Sequence, residues 1–354
     1  MYKIPHSKPC AGKEEVWAAS FQIGSGMHAS GEKRDEFEGK MREIVGPLYA
    51  KATNSGTSAL HLALMGLEIS DRDEVIIPSY VCSSVMNAVD YIGARAVLAD
   101  IDKDFNEKGY NISARTIKDL INKRTKAIIV PHMFGTPADL ESILDLGISV
   151  IEDCAQSLGA KYKGKITGGI TEVGVFSFCA TKVISTGHGG MIVSSSNLIK
   201  ENLEDLTKYD KRENYSVTYN YELSNIQAAI GIEQLKKLDY FIERRKIIAE
   251  KYDGAFSGKS FKIPSKIGGS FPFRYVIKFS NEGERDNMKD KLIEKGIRTE
   301  LPVFKPLHRY MGLDRNKFLA TEEAYSTTLS IPIYPALKEE EVDYIIKSVL
   351  EVVE

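Results

Sequence analysis

The sequence is poor in cysteine. Its 354 residues include four cysteines, Cys10, Cys82, Cys154 and Cys179. No two of them form a C-x-x-C pair, and no histidine spacing completes a zinc site. We therefore predict no metal, and a reducing cytoplasm is the expected location.

The sequence also lacks an excess of charge of one sign and any long apolar run. Lysine and arginine number 47 against 49 acidic residues, a formal net charge of −2. There is no N-terminal signal pattern and no apolar stretch long enough to span a bilayer. The basic stretch 243–246 is flanked by acids and predicts a solvated helix face. We therefore expect neither nucleic acid nor a membrane as a partner.

What is present is a regular alternation of short apolar strands and helical patterns from about Tyr49 to Ser195. This alternation predicts an α/β fold with a mostly parallel sheet and helices on both faces. Such sheets bind ligands at the carboxyl ends of their strands. The predicted strands are Glu74–Pro78, Arg95–Asp100, Lys126–Pro131, Ser149–Asp153, Val173–Phe178 and Gly190–Ser195. The predicted helices are Ser58–Leu67, Ser83–Ile92, Thr116–Ile121 and Leu140–Leu146.

The rest of the chain predicts a smaller α+β domain. We place a large domain over residues 1–237 and a small domain over 238–354, with the N-terminal segment able to pack on the small one. The predicted elements are a long helical pattern from Ser224 to about Tyr252, a strand at Phe271–Phe279, a helix at Arg285–Lys295 ended by Gly296, and a final helix from about Lys338 to Val352.

Lys182 is the first candidate for chemistry. It lies between two apolar strands, just before the glycine-rich turn that leads to Gly190. Desolvation there would lower the pKa of the amine and make it nucleophilic, and such a lysine can form a Schiff base. Taken alone, a structural lysine that extends its amine to solvent is the more frequent explanation.

Two further pieces are chemically suggestive. Asp153 ends an apolar strand, where a carboxylate can pair with a pyridinium nitrogen, although a lone Asp is more often a turn or helix cap. Gly56 permits a tight turn, and Thr57 or Ser58 can cap the helix that follows. The free N–H groups and hydroxyls of such a helix start suit a phosphate, although a well-capped helix without a ligand is about equally expected.

The order of these pieces resembles the fold-type I enzymes that use pyridoxal 5′-phosphate (PLP), and more specifically the DegT/DnrJ/StrS aminotransferases. The resemblance covers nearly the whole chain. It implies a mostly parallel mixed sheet sandwiched by helices, with a smaller C-terminal α+β domain. The segments that carry it are residues 4–9, 25–38, 54–64, 73–79, 152–156, 176–182, 219–221, 227–229, 306–308 and 331–335.

The resemblance also implies roles for individual residues. Lys182 carries the cofactor, which alternates between PLP and pyridoxamine phosphate (PMP), and moves a proton, while Asp153 pairs with the pyridine nitrogen. The other implied cofactor-binding residues are Gly56, Thr57, Ser58 and Ser177 at the phosphate, Cys82 and Gln156 beside the ring, and Asn220 at the phosphate of a neighbouring subunit in a homodimer with shared sites. The implied substrate-binding residues are Ser25, Met27, His188 and His308.

Three positions depart from the family's usual pattern. Cys82 stands where many relatives have an aromatic residue that stacks on the ring. His188 stands where a glutamate usually precedes the Gly-Gly turn, and Glu222 where an arginine is frequent. We therefore expect the cofactor chemistry to be kept and the substrate pocket to differ.

The expected activity is amino transfer from L-glutamate to a keto-sugar, most simply a nucleotide-linked keto-deoxysugar. One alternative is a PLP-dependent sugar dehydratase, but that branch replaces the lysine by histidine, and His188 does not occupy the position of Lys182. The other alternative is a PLP-binding regulatory or sensor protein without turnover. The separate basic DNA-binding module that such a regulator needs is not visible in the sequence.

Overall fold

A computed structural model of the protein describes residues 3–29 and 31–353. Short strands and helices alternate through the first two thirds of the chain, as predicted. The strands are β1 (Tyr49–Thr53), β2 (Glu74–Pro78), β3 (Arg95–Ala99), β4 (Thr125–Pro131), β5 (Ser149–Asp153), β6 (Lys161–Tyr162), β7 (Lys165–Ile166), β8 (Val173–Ser177), β9 (Gly190–Ser194), β10 (Tyr275–Lys278) and β11 (Thr328–Ile331).

The helices surround these strands. Two helices precede the first strand in the chain, α1 (Lys13–Gly24) and α2 (Glu32–Val45). Five follow between the strands of the central sheet: α3 (Gly56–Gly66), α4 (Ser83–Tyr91), α5 (Phe105–Lys108), α6 (Ala114–Ile117) and α7 (Leu140–Leu144). After the sheet they are α8 (Asn197–Thr207), α9 (Asn225–Lys236), α10 (Leu238–Phe256), α11 (Glu282–Glu294), α12 (Leu307–Tyr310), α13 (Leu319–Thr327) and α14 (Glu339–Val353).

The central sheet has seven strands in the order β1-β9-β8-β5-β4-β2-β3. The pairs from β3 across to β8 are parallel, whereas β9 runs antiparallel to both β8 and β1. The predicted mostly parallel mixed sheet is therefore confirmed. Its arrangement brings the carboxyl ends of β5 and β8 side by side.

Helices cover both faces of this sheet because its strands alternate apolar side chains between two cores. Val175 and Ile192 belong to a core that also contains β2, β4 and much of α3. Their neighbours Phe176 and Met191 point the other way, into a core with residues of α2 and α9. The sheet is buried on both sides, which explains why β2 continues as the apolar run Val75–Pro78 after Glu74.

The long helical pattern predicted from Ser224 onward is two helices, α9 and α10. Lys237 separates them, with φ −101° and ψ 2°. α9 packs on α1 and α2, whereas α10 packs on α14 near the C-terminus. Because the two helices bury their apolar faces against different partners, a break between them is needed. The Lys237 amine then bonds Glu14 and Glu15 of α1, at 2.9 and 2.8 Å.

The C-terminal part of the chain forms its own core around β10 and β11, which pair antiparallel. The N-terminal segment joins this core: the N–H of Ile4 donates to the Gly296 carbonyl at 3.0 Å, and the Arg298 N–H donates to the Ile4 carbonyl at 2.9 Å. Gly296 follows α11 with φ +76°, a conformation that favours glycine. The domain division at residue 237 stays a prediction.

No helix in residues 3–29 and 31–353 combines the length and the apolar character needed to cross a bilayer.

Candidate functional site

A cavity of about 750 Å³ opens where β5 and β8 end and α3 begins. We call it the Lys182 cavity. Its place follows from the topology, because the carboxyl ends of neighbouring parallel strands form the ligand-binding edge of such sheets. Eight residues predicted from the sequence line it: Gly56, Thr57, Cys82, Asp153, Gln156, Ser177, Lys182 and His188.

Lys182 lies in the turn that follows β8, where its N–H donates to the Cys179 carbonyl at 2.9 Å. Its Nζ lies 6.0 Å from the centroid of the Phe273 ring. Burial lowers the pKa of this amine, Asp153 acts in the opposite direction, and the charge of Arg274 lowers the pKa further. The environment therefore shifts the amine toward its neutral form, which is the nucleophilic one.

Asp153 is the last residue of β5 and lies in the same cavity. Its Oδ1 accepts a hydrogen bond from the Ala155 N–H at 3.0 Å, whereas its Oδ2 accepts none from a described residue. Burial raises the pKa of the carboxyl, while the Ala155 N–H, Lys182 and His132 act to lower it. One carboxylate oxygen is thus available to a cationic N–H group in the cavity.

A buried network behind Asp153 fixes the end of β5. The Nδ1 atom of His132 accepts from the Ala138 N–H at 3.0 Å, so its Nε2 donates to Glu152, 3.2 Å away. His132, Glu152 and Cys154 place possible metal-ligand atoms within 4.8 Å of one another. The Glu152 carboxylate, however, is already bonded by the N–H groups of Gly168, Ile170 and Thr171. We therefore assign this network a structural role.

The start of α3 supplies an anion cradle. Ser55 caps this helix by accepting the Ser58 N–H at 3.1 Å. The N–H groups of Gly56 and Thr57 have no acceptor in the described part of the chain. A Cβ on Gly56 would lie 2.8 Å from the Ser177 Cβ and 3.1 Å from its Oγ. Glycine is therefore required here, and it brings two free N–H groups and the Ser177 hydroxyl together.

This set of groups fits PLP. The cofactor needs an amine for its aldehyde, an acceptor for its ring N–H and donors for its phosphate. Lys182, Asp153 and the Gly56–Ser177 cradle supply these in one cavity.

The other predicted cofactor residues differ in how they face the cavity. Ser58 does not line it, because its hydroxyl bonds Asn54 and Ser55, at 2.6 and 2.9 Å. Gln156 lines it, with Oε1 accepting the Phe134 N–H at 3.1 Å. Cys82 is exposed at the rim, immediately before α4.

Besides Ser58, four predicted residues lie outside the Lys182 cavity. Ser25 and Met27 follow α1, and Met27 is 58% exposed. Asn220 is exposed in the segment before α9. His308 is fully buried, with Nδ1 2.6 Å from the Ser79 Oγ and Nε2 2.7 Å from Glu322. Their predicted roles in binding cofactor or substrate stay predictions.

The two remaining departures have clear surroundings. His188 is exposed, and its carbonyl is held by the amide of Gln227 at 2.8 Å. Glu222 accepts a hydrogen bond from the Arg34 guanidinium at 2.8 Å. Its charge is therefore matched within the chain.

Several cavity residues had no predicted role. His6, Arg274, Arg298 and Glu300 line the Lys182 cavity. Burial and the charges of nearby arginines lower the pKa of His6 to about 3. The one available signal was an arginine within an apolar strand pattern, Arg274 in 271–279.

Comparison with known proteins agrees with this geometry. The model of the DegT/DnrJ/EryC1/StrS aminotransferase family matches residues 9–350. The chain belongs to this family. The GDP-perosamine synthase of Escherichia coli O157:H7 is 33% identical over 99% of both chains.

Solved structures extend the comparison. Protein Spr1654 of Streptococcus pneumoniae, solved in its PMP form, superposes with a TM-score of 0.92 at 25% identity, covering 99% of this chain and 98% of that one. Helicobacter pylori PseC, an aminotransferase involved in the biosynthesis of pseudoaminic acid, gives 0.89 at 28% identity, covering 98% of each. The predicted family, aminotransferase activity and PLP cofactor are confirmed.

Proposed function

We propose that the protein transfers an amino group from L-glutamate to the ketone of a nucleotide-linked keto-deoxysugar. The observation that carries the proposal is the shared cavity of the Lys182 amine, the free Asp153 oxygen and the Gly56–Ser177 cradle. The name of the E. coli relative, GDP-perosamine synthase, supports a nucleotide-linked sugar as the acceptor.

The chain's own groups divide the work of this reaction. When bound, PLP supplies an electron sink for the electrons of the substrate carbon. Lys182 holds the cofactor in place and then moves a proton at its Nζ. Asp153 holds the proton on the ring nitrogen, and the N–H groups of Gly56 and Thr57 bind the phosphate with the Ser177 hydroxyl.

The test separates the two halves of the reaction. Purified protein loaded with PLP and mixed with L-glutamate should yield PMP and 2-oxoglutarate in a single turnover, and added nucleotide-linked keto-sugar should return PLP. If PLP binds but glutamate yields no PMP, L-glutamate is not the amino donor. If no other amino acid yields PMP either, a sensor without turnover replaces the enzyme proposal. If dehydration of the sugar occurs without amino transfer, the dehydratase alternative replaces it.

A homodimer with shared sites is part of the proposal. Helix α1 exposes Val16, Trp17 and Phe21, whose side chains are 66, 66 and 58% exposed. Tyr215, which precedes Asn220 in the same segment of the sequence, is 94% exposed. Large apolar side chains exposed in this way suit a second copy of the chain as their cover. Asn220 would then reach the phosphate site of the partner.

Mixed subunits test this arrangement. Lys182→Ala and Asn220→Ala chains should each be impaired alone. A hybrid dimer has one site with native Lys182 from one chain and native Asn220 from the other, so activity should return on mixing. Failure of mixing to restore activity, with hybrids shown to form, would place Asn220 outside the neighbouring site.

A cytoplasmic location completes the proposal. All four cysteines are free thiols, and Cys154 is buried. Free thiols suit a reducing compartment. Fractionation of the native cells, with the protein detected by antibody, tests the location.

A further inference from the structure

Arg274 carries a positive charge that no described residue neutralises in an ion pair. Its side chain lines the Lys182 cavity. The Nε and Nη1 atoms are fully buried and have no hydrogen-bond partner, and the guanidinium forms no ion pair with a described residue. A buried charged donor without a partner is costly, so such groups are usually paired with an anion.

The charges around Arg274 do not supply that anion. Burial lowers the pKa of the Arg274 guanidinium, and Glu300 is the only carboxylate among the groups that oppose this effect. Glu300 already accepts a hydrogen bond from Arg298 at 2.7 Å. Arg245 has the same charge as Arg274, and the charge of Arg274 lowers the pKa of the Arg245 guanidinium. The cavity wall is therefore short of one negative charge.

The backbone before Arg274 is held firmly. The N–H of Phe273 donates to the Phe134 carbonyl at 3.1 Å. The Phe273 carbonyl accepts from Arg245 at 3.0 Å, and the same Arg245 nitrogen bonds Ile333 at 2.6 Å. Strand β10 begins at the next residue, Tyr275. The guanidinium is thus attached to a fixed wall, as a binding group should be.

The other anion of the proposed reaction already has its own site. The cofactor phosphate is provided for by Gly56, Thr57 and Ser177, and Asp153 is available to the ring nitrogen. Arg274 and Lys182 line the same cavity, and the charge of Arg274 acts on the Lys182 amine, so the guanidinium faces the space around the reacting nitrogen. In an amino acid, the α-carboxylate lies two bonds from the amine. A carboxylate is also the planar partner that a guanidinium binds with two parallel hydrogen bonds.

We propose that Arg274 binds the carboxylate of the amino-acid donor. The proposal rests on the proposed aminotransferase function and adds to it the residue that recognises the donor. The diphosphate of a nucleotide-linked sugar is a less suitable ligand, since it lies several bonds from the ketone carbon that must reach the same nitrogen.

A second cavity, of about 510 Å³, is also lined by Arg274, together with Lys103, Lys246, Lys262, Lys266 and Lys278. Lys246 provides the matched control, because it is a cation of the second cavity alone and lies 3.7 Å from Glu243. An anion bound only in the second cavity would depend on Lys246 as well as on Arg274.

The experiment uses two reagents that differ by one carboxylate. Aminooxyacetate and O-methylhydroxylamine both carry an amine that reacts with protein-bound PLP, but only the first carries a carboxylate. Their equilibrium affinity and rate of reaction are read from the visible spectrum of PLP-loaded wild type, Arg274→Met, Arg274→Lys and Lys246→Met. Spectral titration with L-glutamate gives the same information for the donor.

We expect Arg274→Met to lower the affinity for aminooxyacetate and for glutamate by roughly 10- to 100-fold, because a charged hydrogen bond is lost. The affinity for O-methylhydroxylamine should be unchanged. Arg274→Lys should be intermediate, and Lys246→Met should match wild type. Equal effects on both reagents, or none on either, would overturn the proposal. If Arg274→Met does not fold, Arg274→Lys gives the same comparison with the charge kept and the two-bond geometry lost.

Two other results would overturn the donor role of Arg274. If Arg274→Met binds glutamate normally but reacts slowly with the keto-sugar in the second half-reaction, the guanidinium binds the acceptor and the donor assignment is wrong. If wild type takes up no PLP, the visible band is absent, and the proposed function is wrong together with the donor role of Arg274 that rests on it.

Discussion

Gly56 packs so closely on Ser177 that a Cβ on the glycine would lie 2.8 Å from the Ser177 Cβ. The two residues come from different elements, the start of α3 and the end of β8. Their contact, and with it the proposed phosphate cradle, depends on the topology of the sheet. Strand β1 leads into α3, and β1 and β8 lie on the two sides of β9.

Gly56→Ala should weaken PLP binding. The added methyl must push Ser177 or the start of α3 aside, and overpacking of this kind costs about 1–3 kcal/mol, equivalent to roughly 10- to 100-fold in affinity. The measurement is the dissociation constant of PLP by fluorescence titration of the apo-protein.

Gly66→Ala, in the same helix, is the matched control. A Cβ there meets Ile199 and Leu203 at an ordinary 3.5 Å, so its affinity for PLP should be that of wild type. Equal affinity for both variants would show that the cradle does not hold the phosphate.

Asp153→Asn should slow catalysis while leaving PLP bound. The amide keeps the size of the side chain but removes the charge that holds the ring nitrogen protonated. Loss of one charge-assisted hydrogen bond, about 1.5–3 kcal/mol, lowers kcat roughly 10- to 100-fold. Steady-state kinetics with a saturating amino donor measures the effect. An unchanged kcat would show that Asp153 does not hold the ring nitrogen protonated.

The pKa of Lys182 should respond to Arg274. The positive charge of Arg274 disfavours the protonated amine and so lowers its pKa, and Arg274→Met should therefore raise it. The rate at which apo-protein takes up PLP depends on the neutral amine, so its pH midpoint should move to higher pH in the variant. Lys246→Met should leave the midpoint in place. A midpoint that falls in Arg274→Met would contradict the assigned electrostatics.

His6 should make the protein sensitive to acid. Burial, with Arg274, Arg298 and Arg245 nearby, lowers its folded pKa from 6.5 to about 3. The unfolded chain therefore binds one more proton between these values, so the stability contribution is full above pH 6.5 and is lost as the pH falls toward 3. His6→Asn should lose stability less steeply in this window, by roughly 1.4 kcal/mol per pH unit.

Urea unfolding at pH 7, 6, 5 and 4 measures this slope. His28→Asn, at an exposed histidine, controls for the loss of an imidazole and should follow wild type. Parallel curves for wild type and His6→Asn would show that His6 is protonated equally in the folded and unfolded chains.

The sequence predicted the parallel core of the fold well, because buried parallel strands are local apolar runs. The bounds of β2 and β5 match the predicted Glu74–Pro78 and Ser149–Asp153. No predicted strand covers Tyr49–Thr53, since this five-residue strand includes a lysine and is defined by pairing with β9, far along the chain. The break at Lys237 was missed for a similar reason, as it depends on the partners of α9 and α10.

The site divides in the same way. Asp153 at a strand end and Gly56 at a helix start could be placed from their local pattern, whereas Ser177 was placed by the family resemblance. Arg274 could not, because an arginine in a strand pattern looks like an edge residue until the fold brings it into the cavity of Lys182. His308, whose predicted role in the substrate wall stays a prediction, is enclosed by Ser79, Glu322 and the ring of Phe318.

In the proposed reaction, Lys182 carries the cofactor. The most direct measurement is borohydride reduction of the PLP-loaded protein, followed by peptide mass spectrometry. The reduced cofactor should be found on the peptide that contains Lys182, and Lys182→Ala should show neither this adduct nor the visible absorption of the bound cofactor. An adduct on another lysine, or an unchanged spectrum in Lys182→Ala, would show that Lys182 does not carry the cofactor.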